Sequence, residues 1–277
     1  MREIEWKGKS YTYNRNLDNI LFLGIDRTDD LSREDLPGTA GQADCIMILS
    51  LDNETKEGRI LQINRNTMTQ IDIYDRFGNY VNHINGQINL QYAYSIGGSS
   101  SCWATKKTVS ELLFGLEIDG YFALNLEGLG KVNDAIGGVD VTMREDYTLL
   151  NPEFIKGKTV HLDGTQAERF VRYRDIEQFN SVQGRMERQA DYVAALVKRA
   201  KALGGSHIYD VLKPFLDTDI ITDLDADRMN ALRNYTYLTD DVKYIPGEMK
   251  QGDTYEEFYP DEDALQDLII EMFYVEV

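Results

Sequence analysis

The sequence predicts an α/β protein in three α-β-α layers, with helices on both faces of a central mixed, partly antiparallel sheet. Three observations predict it. Short continuous apolar runs, each bounded by polar residues, mark strands buried on both faces. Segments with apolar residues at three- and four-residue steps alternate with them and mark helices. One connection between two apolar runs is a short polar turn, which calls for a hairpin and hence an antiparallel pair.

The first strand is Ile20-Leu21-Phe22-Leu23-Gly24-Ile25, ending at Asp26, and the second, Cys45-Ile46-Met47-Ile48-Leu49, starts after Asp44. The polar turn Asp52 to Gly58 leads to a third, Arg59 to Ile63, which ends at Asn64-Arg65-Asn66-Thr67. Thr105 to Phe114 follows as a helix closed near Gly115, then a strand at Tyr121–Leu124. Glu127 to Ile136 is a helix stopped by Gly137-Gly138. Val139–Met143 is a further strand, and Asp163 is placed to cap a helix reaching about Tyr173. The clearest helix spans Ser181 to Leu203: Met186, Ala190, Val193, Val197 and Ala200 form its apolar stripe, and Gly204-Gly205 stops it. Asp261 to Tyr274 is a final amphipathic helix. Residues 19–277 are expected as one domain, with no internal repeat, and residues 1–18 as a flanking segment.

Composition narrows the function. At 277 residues, 42% hydrophobic and 27% charged, the chain is globular rather than disordered. Its formal charge of −18 excludes nucleic acid as a partner, because a duplex binder needs a basic face. No apolar run reaches the ~20 residues that span a bilayer, and Met1-Arg2-Glu3-Ile4-Glu5-Trp6 lacks the apolar region of a signal peptide. The cysteines Cys45 and Cys102 have no metal-type spacing: Cys45 reads as a core residue, and Cys102 lies in a Ser-rich loop.

Strand order points to a site. If strands one and three are both antiparallel to strand two, Asp26, Asp44 and Arg65 converge at one sheet edge. An acidic protein that binds phosphate must concentrate its positive charge, and Arg169, Arg172, Arg174, Arg185 and Arg188 all fall within twenty residues. Arg172 and Arg174 share a face if that stretch is extended, roughly 6–7 Å apart. Arg185, Arg188 and Gln189 lie near a helix N-terminus, where backbone N–H groups also favour anions. A guanidinium fork pairs two oxygens of a phosphate at once. The competing reading is that these arginines pair with some of the 47 acids.

Arg172-Tyr173-Arg174 followed by Gly184-Arg185-Met186-Glu187-Arg188-Gln189 resembles the R-x-R…G-R-x-x-R-Q signature of the LytR-CpsA-Psr family. Other segments agree in order. Leu23-Gly24-Ile25-Asp26 is similar to that family's L-G-x-D, Ala43-Asp44 to its R-S-D, and Asn64-Arg65-Asn66-Thr67 to its P-R-D-T. Ile136-Gly137-Gly138-Val139 and Leu162-Asp163-Gly164-Thr165-Gln166-Ala167 are similar to its G-G-V and L-x-G-x-x-A. No single piece is specific, but six in order are.

The resemblance implies a phosphotransferase on the extracellular face of the bacterial cytoplasmic membrane, tethered by an N-terminal helix now removed. It would move a glycan phosphate, of a teichoic acid or capsule precursor, from polyprenyl pyrophosphate to peptidoglycan. It also implies Mg2+ on Asp26 and Asp44, catalytic Arg65, Arg172, Arg174 and Gln189, and substrate contacts from Arg185, Arg188, Asn64 and Asn66. Three positions depart from the pattern: Asn66 where an aspartate is usual, Gln42 or Ala43 where an arginine precedes Asp44, and Val182 or Gln183 where an acid precedes the G-R. Asn66 can accept a hydrogen bond from Arg65, but it is neither a base nor a strong cation ligand. The alternative is therefore an envelope protein that binds polyprenyl phosphate or glycan without turnover.

Other features carry no site. Asp223, Asp225 and Asp227 mimic a calcium loop, but Arg228 and Asn234 stand where it needs glycine and glutamate. Gly97-Gly98-Ser99-Ser100-Ser101 lacks the lysine of a phosphate loop, and the three histidines are scattered.

Overall fold

The computed structural model describes residues 3–174, 179, 181–203, 207–238 and 240–277. Its first half contains β1 (Glu3–Trp6), β2 (Lys9–Tyr13), β3 (Leu17–Ile25), β4 (Ala43–Asp52), β5 (Glu57–Ile63), β6 (Met68–Tyr74) and β7 (Tyr80–Gln87). Then come α1 (Leu90–Ala93), α2 (Gly98–Leu112), β8 (Gly120–Asn125), α3 (Leu126–Ala135), β9 (Val139–Thr142), β10 (Thr159–Leu162), α4 (Gly164–Arg172) and α5 (Ser181–Leu203). The remainder is α6 (His207–Leu212), β11 (Ile220–Thr222), α7 (Ala226–Ala231), β12 (Thr236–Tyr237), β13 (Lys243–Tyr244), β14 (Gly247–Gln251), β15 (Glu256–Pro260), α8 (Glu262–Phe273) and β16 (Tyr274–Glu276).

The central sheet runs β11-β8-β3-β4-β5-β12, with β13 also on β5. β4 is antiparallel to both β3 and β5, while β8 lies parallel to β3. The mixed sheet predicted from the turn is therefore present. Alternation along each strand sends side chains to opposite layers. Leu21, Leu23, Ile25, Ile46, Ile48, Leu61 and Ile63 form one core with Val109 and Leu113 near α2 and Leu265, Ile269 and Phe273 of α8. On the other face Met47 and Ile60 meet Ala190 and Val193 of α5, and Ile20 and Leu124 meet Val132, Ile208 and Leu212.

Several local predictions hold at the level of atoms. Asp163 caps α4 in a reciprocal capping box with Gln166, its carboxylate accepting from Gln166 N–H at 2.8 Å. Gly138 has φ +76°, and a Cβ there would lie 2.4 Å from His161 Nε2, so only glycine fits the turn after α3.

Other expectations change. Residues 3–13 are not a detached flank: β2 pairs with the C-terminal strand β16, and Trp6 Nε1 donates to Asp267 of α8 at 2.7 Å. Leu17 and Asp18 already belong to β3. Helix α2 begins at Gly98, well before Thr105, and takes in the serine run and Cys102. Low helix propensity is overridden there by burial of Ser101, Cys102 and Thr105. No described helix is long and apolar enough to cross a membrane.

Candidate active site

The site begins where β3, β4 and β5 end. Ile25 pairs with Ala43 across a bulge at Gly24/Ile25, and Asp26 N–H donates to Gln42 O at 3.0 Å. Gln42 N–H in turn donates to Asp26 Oδ1. A Cβ on Gly24 would stand 2.9 Å from Cys45 Cβ, so glycine permits this cross-strand approach. Arg65, just beyond β5, donates to Asp44 Oδ1 and, at 2.7 Å, to Gln42 Oε1. The predicted meeting of Asp26, Asp44 and Arg65 at one edge is the arrangement found.

Asn64 and Asn66 build the turn that carries Arg65. Asn66 N–H donates to Asn64 Oδ1 at 2.9 Å, and Thr67 Oγ1 donates to Asn64 O at 2.6 Å. Both asparagines are buried, and neither lines the cavity described below. Arg65 donates to Asp44 and Gln42, and no bond from it to Asn66 occurs among the described contacts. Gln42 is the member of the Gln42/Ala43 pair that takes part: its Oε1 also accepts from Asn89 Nδ2 at 2.8 Å, whereas Ala43 is fully buried.

Helices α4 and α5 bring the other arginines. Arg185, on the first turns of α5, donates through NH1 to Asp44 Oδ2 at 3.0 Å. Its Nε and NH2 are buried and meet no partner among the described residues. Burial holds its pKa below the usual guanidinium range, Asp44 opposing and Arg65 and Arg174 adding to the effect. Arg172 ends α4 with a 2.6 Å pair to Glu168, and Arg174 donates to Ser181 Oγ at 3.0 Å and Glu256 Oε2 at 2.6 Å. Gln189 Oε1 lies 3.4 Å from Gln62 Nε2.

Arg188 departs from its expected role. It is buried between the rings of Tyr147 and Tyr173 and donates to the carbonyls of Phe170, at 3.0 Å, and Tyr173. It lies outside the cavity lining and pins the end of α4 to α5. Arg169 is likewise structural, donating to Leu150 O at 3.1 Å.

Asp26, Asp44, Arg172, Arg174, Arg185 and Gln189 all line one cavity of about 470 Å³. Its floor includes Phe22, Leu124 and Val193. Those three residues also line a second, narrow cavity of about 110 Å³ between the sheet and α5. That cavity is walled by Ile20, Met47, Leu49, Leu196, Val197 and other apolar side chains, with Arg233 at its lining. A charged cavity thus lies next to an apolar one, with Phe22, Leu124 and Val193 at the boundary between them.

Both oxygens of Asp44 accept from arginines, Arg65 and Arg185, and Asp26 Oδ1 accepts from Gln42 N–H. Asp26 is held above the usual carboxylate range by burial, with the neighbouring charge of Asp44 adding to it and the Gln42 N–H and Arg65 opposing. No third His, Cys, Asp or Glu joins them in a metal-holding group among the described residues. A divalent cation beside these two carboxylates would have to take most of its ligands from water or phosphate oxygens, because no closed protein cage is present among the described residues. Cys45 also lines the cavity, but burial pushes its thiol up to about 12, so it is no nucleophile at neutral pH.

Sequence reasoning missed the bore, since Phe22, Leu124 and Val193 read as ordinary core. It noticed Gln42 only as a departure. It also missed Arg27, which is buried and paired with Asp29 and Asp35 just after Asp26.

Comparison with known proteins shows what the whole chain is similar to. The polyisoprenyl-teichoic acid–peptidoglycan teichoic acid transferase TagU of Oceanobacillus iheyensis is 29% identical over 214 residues, 77% of this chain and 61% of that protein. The Bacillus cereus protein of the same name is 28% identical over 255 residues, 90% of this chain and 76% of that one. The chain thus spans less than two thirds of the first relative's length. The crystal structure of the Lin1025 protein of Listeria innocua superposes with a TM-score of 0.65 at 25% identity, covering 93% of this chain and 97% of that one. The profile of the LytR_cpsA_psr family matches residues 3–272. Asp26, Asp44, Arg172, Arg174, Arg185 and Gln189 of its motifs line the cavity, while Arg65 stands behind it on Asp44, and with the family profile matched over residues 3–272 this chain belongs to the LytR-CpsA-Psr family.

Proposed function

We propose that the protein is a phosphotransferase that moves a glycan phosphate, of a teichoic acid or capsule-type polymer, from a polyprenyl-pyrophosphate carrier to peptidoglycan. The observation that carries this reading is the adjacency of a charged and an apolar cavity, which share Phe22, Leu124 and Val193 as lining. An amphiphile with a polyanionic head and an aliphatic tail matches a charged mouth on a dry bore. The names of the TagU relatives support the same donor and acceptor. Work at the outer face of the cytoplasmic membrane, with a membrane anchor preceding the chain, belongs to the proposal.

In this reaction a sugar hydroxyl of the acceptor attacks the phosphorus that bears the glycan. The bond from that phosphorus to the bridging oxygen breaks, polyprenyl phosphate leaves, and the hydroxyl proton is released. Positioning and charge neutralisation dominate such transfers. Arg185 offers two buried N–H edges with no partner among the described residues, and an entering anion would supply acceptors for them. Arg174 and Arg172 flank the same cavity, while Asp44 holds Arg65 and Arg185 toward each other. Mg2+ on Asp26 and Asp44 would supply further charge neutralisation at the pyrophosphate oxygens.

The test is release of polyprenyl phosphate from a polyprenyl-pyrophosphate-linked glycan, with peptidoglycan fragments as acceptor, in MgCl2 and again in EDTA. Turnover that EDTA and Arg65→Ala both abolish is expected. The Gln42 and Asn66 departures favour the second reading, binding without turnover. A donor that raises the melting temperature yet is never consumed selects that reading and rejects the transferase.

A further inference from the structure

The arginines at the mouth differ in how firmly they are held. Arg172 pairs with Glu168 on an open helix face, both side chains well exposed, and such pairs contribute little. Arg174 lies past the end of α4, outside any helix or strand, where a long side chain has no scaffold of its own. Among the described residues two groups outside the cavity lining hold it: Ser181 Oγ accepts from its Nε, and Glu256 Oε2 accepts from NH2 at 2.6 Å. Glu256 is only 11% exposed and is not among the residues that line the cavity.

Glu256 opens β15, a strand lying far beyond the motifs that mark the site. The same strand supports the turn that carries Arg65: Phe258 N–H donates to Asn66 O at 2.9 Å, and Thr67 bridges to Phe258. Gln87 Nε2 donates to Glu256 O at 2.8 Å and fixes the strand from the other side. One C-terminal strand therefore touches both the backbone behind Arg65 and the guanidinium of Arg174. Arginines from distant parts of the chain can grip one pyrophosphate only if their separation is set in advance.

We propose that Glu256 is a positioning residue: it orients Arg174 toward the cavity, so that β15 sets the spacing of the anion-gripping arginines. The inference rests on the phosphate-binding reading of the cavity and not on turnover. A guanidinium has five N–H donors. Engaging Nε and one NH2 donor from behind leaves the others for phosphate oxygens. Glu256 also carries a charge that repels an anion, so positioning and repulsion predict opposite effects of its removal.

The test is a double-mutant cycle of Glu256→Gln and Arg174→Met in the full chain, read by calorimetry with inorganic pyrophosphate and MgCl2. Glu256→Gln is expected to weaken binding by about 3- to 10-fold, the usual penalty for immobilising one long side chain on binding. In the Arg174→Met background the same change is expected to cause no loss and at most a slight gain from the removed charge, and Glu256→Asp is expected to recover part of the loss. Tighter binding by Glu256→Gln, an equal loss on both backgrounds, or no pyrophosphate binding by the unaltered protein overturns the proposal. Coupling of the two residues in a protein that never consumes a lipid-linked donor keeps this inference and removes the transferase reading.

Discussion

Arg185→Met is expected to weaken anion binding severely while leaving the unliganded protein as stable or more so. Among the described residues Arg185 has one carboxylate contact, two N–H edges without a partner and two arginine neighbours that oppose its charge. Methionine fills similar space without a charge to desolvate, and Asp44 keeps its bond to Arg65. Replacing a poorly satisfied buried ion is typically neutral to stabilising, here by about 1 kcal/mol, or roughly 2–4 °C for a chain of this size. Two charge-assisted hydrogen bonds to phosphate, at ~1.5–3 kcal/mol each, disappear with the guanidinium, so affinity falls by roughly 100-fold or more. The assay is thermal unfolding with and without pyrophosphate, alongside calorimetric titration of the same ligand. A variant that melts several degrees lower and still binds pyrophosphate within twofold of the native protein would refute the reasoning, making Arg185 a structural residue.

Val193→Phe places a ring at the junction of the two cavities. Turnover of a lipid-linked donor is expected to collapse while pyrophosphate affinity stays close to native; unchanged lipid turnover would place the tail elsewhere. Arg188→Met orphans the Phe170 and Tyr173 carbonyls and removes the cation stacked on two tyrosines. A loss of about 2–4 kcal/mol is expected, and a melting temperature within a degree of native would count against the pinning role. Asn66→Asp alone adds a carboxylate at a buried position and is expected to destabilise by about 1–3 kcal/mol, with Gln42→Arg in the same chain restoring much of it. Urea unfolding of the two single variants and the double variant decides this, and a harmless Asn66→Asp would mean the two departures are unrelated.

Gln42 and Asn66 together remove one positive and one negative residue from the neighbourhood of Arg65. Arg65 remains bound to Asp44 and Gln42 in their absence. The replacements therefore leave the contacts of Arg65 to Asp44 and Gln42 in place.

The local pattern settled one strand pair. The short polar turn makes the runs on either side of it antiparallel and sets Asp44 beside Arg65, whereas Asp26 joins them only if the first strand is also antiparallel to the second, which the structure decides. Asp163 and Gly138 were legible because a cap and a positive φ are decided within a few residues. Arg185 and Arg188 share a helix and a motif, yet one faces the cavity and the other holds two carbonyls, and their spacing along the chain is silent on the difference. Phe22, Leu124 and Val193 have the alternation of packed core whether the space beside them is filled or open. Glu256 and the β2–β16 pairing carry no local signal, because their partners lie far away in the chain. Periodicity reports which face a residue takes and says nothing of what stands opposite; that is fixed only when remote segments meet.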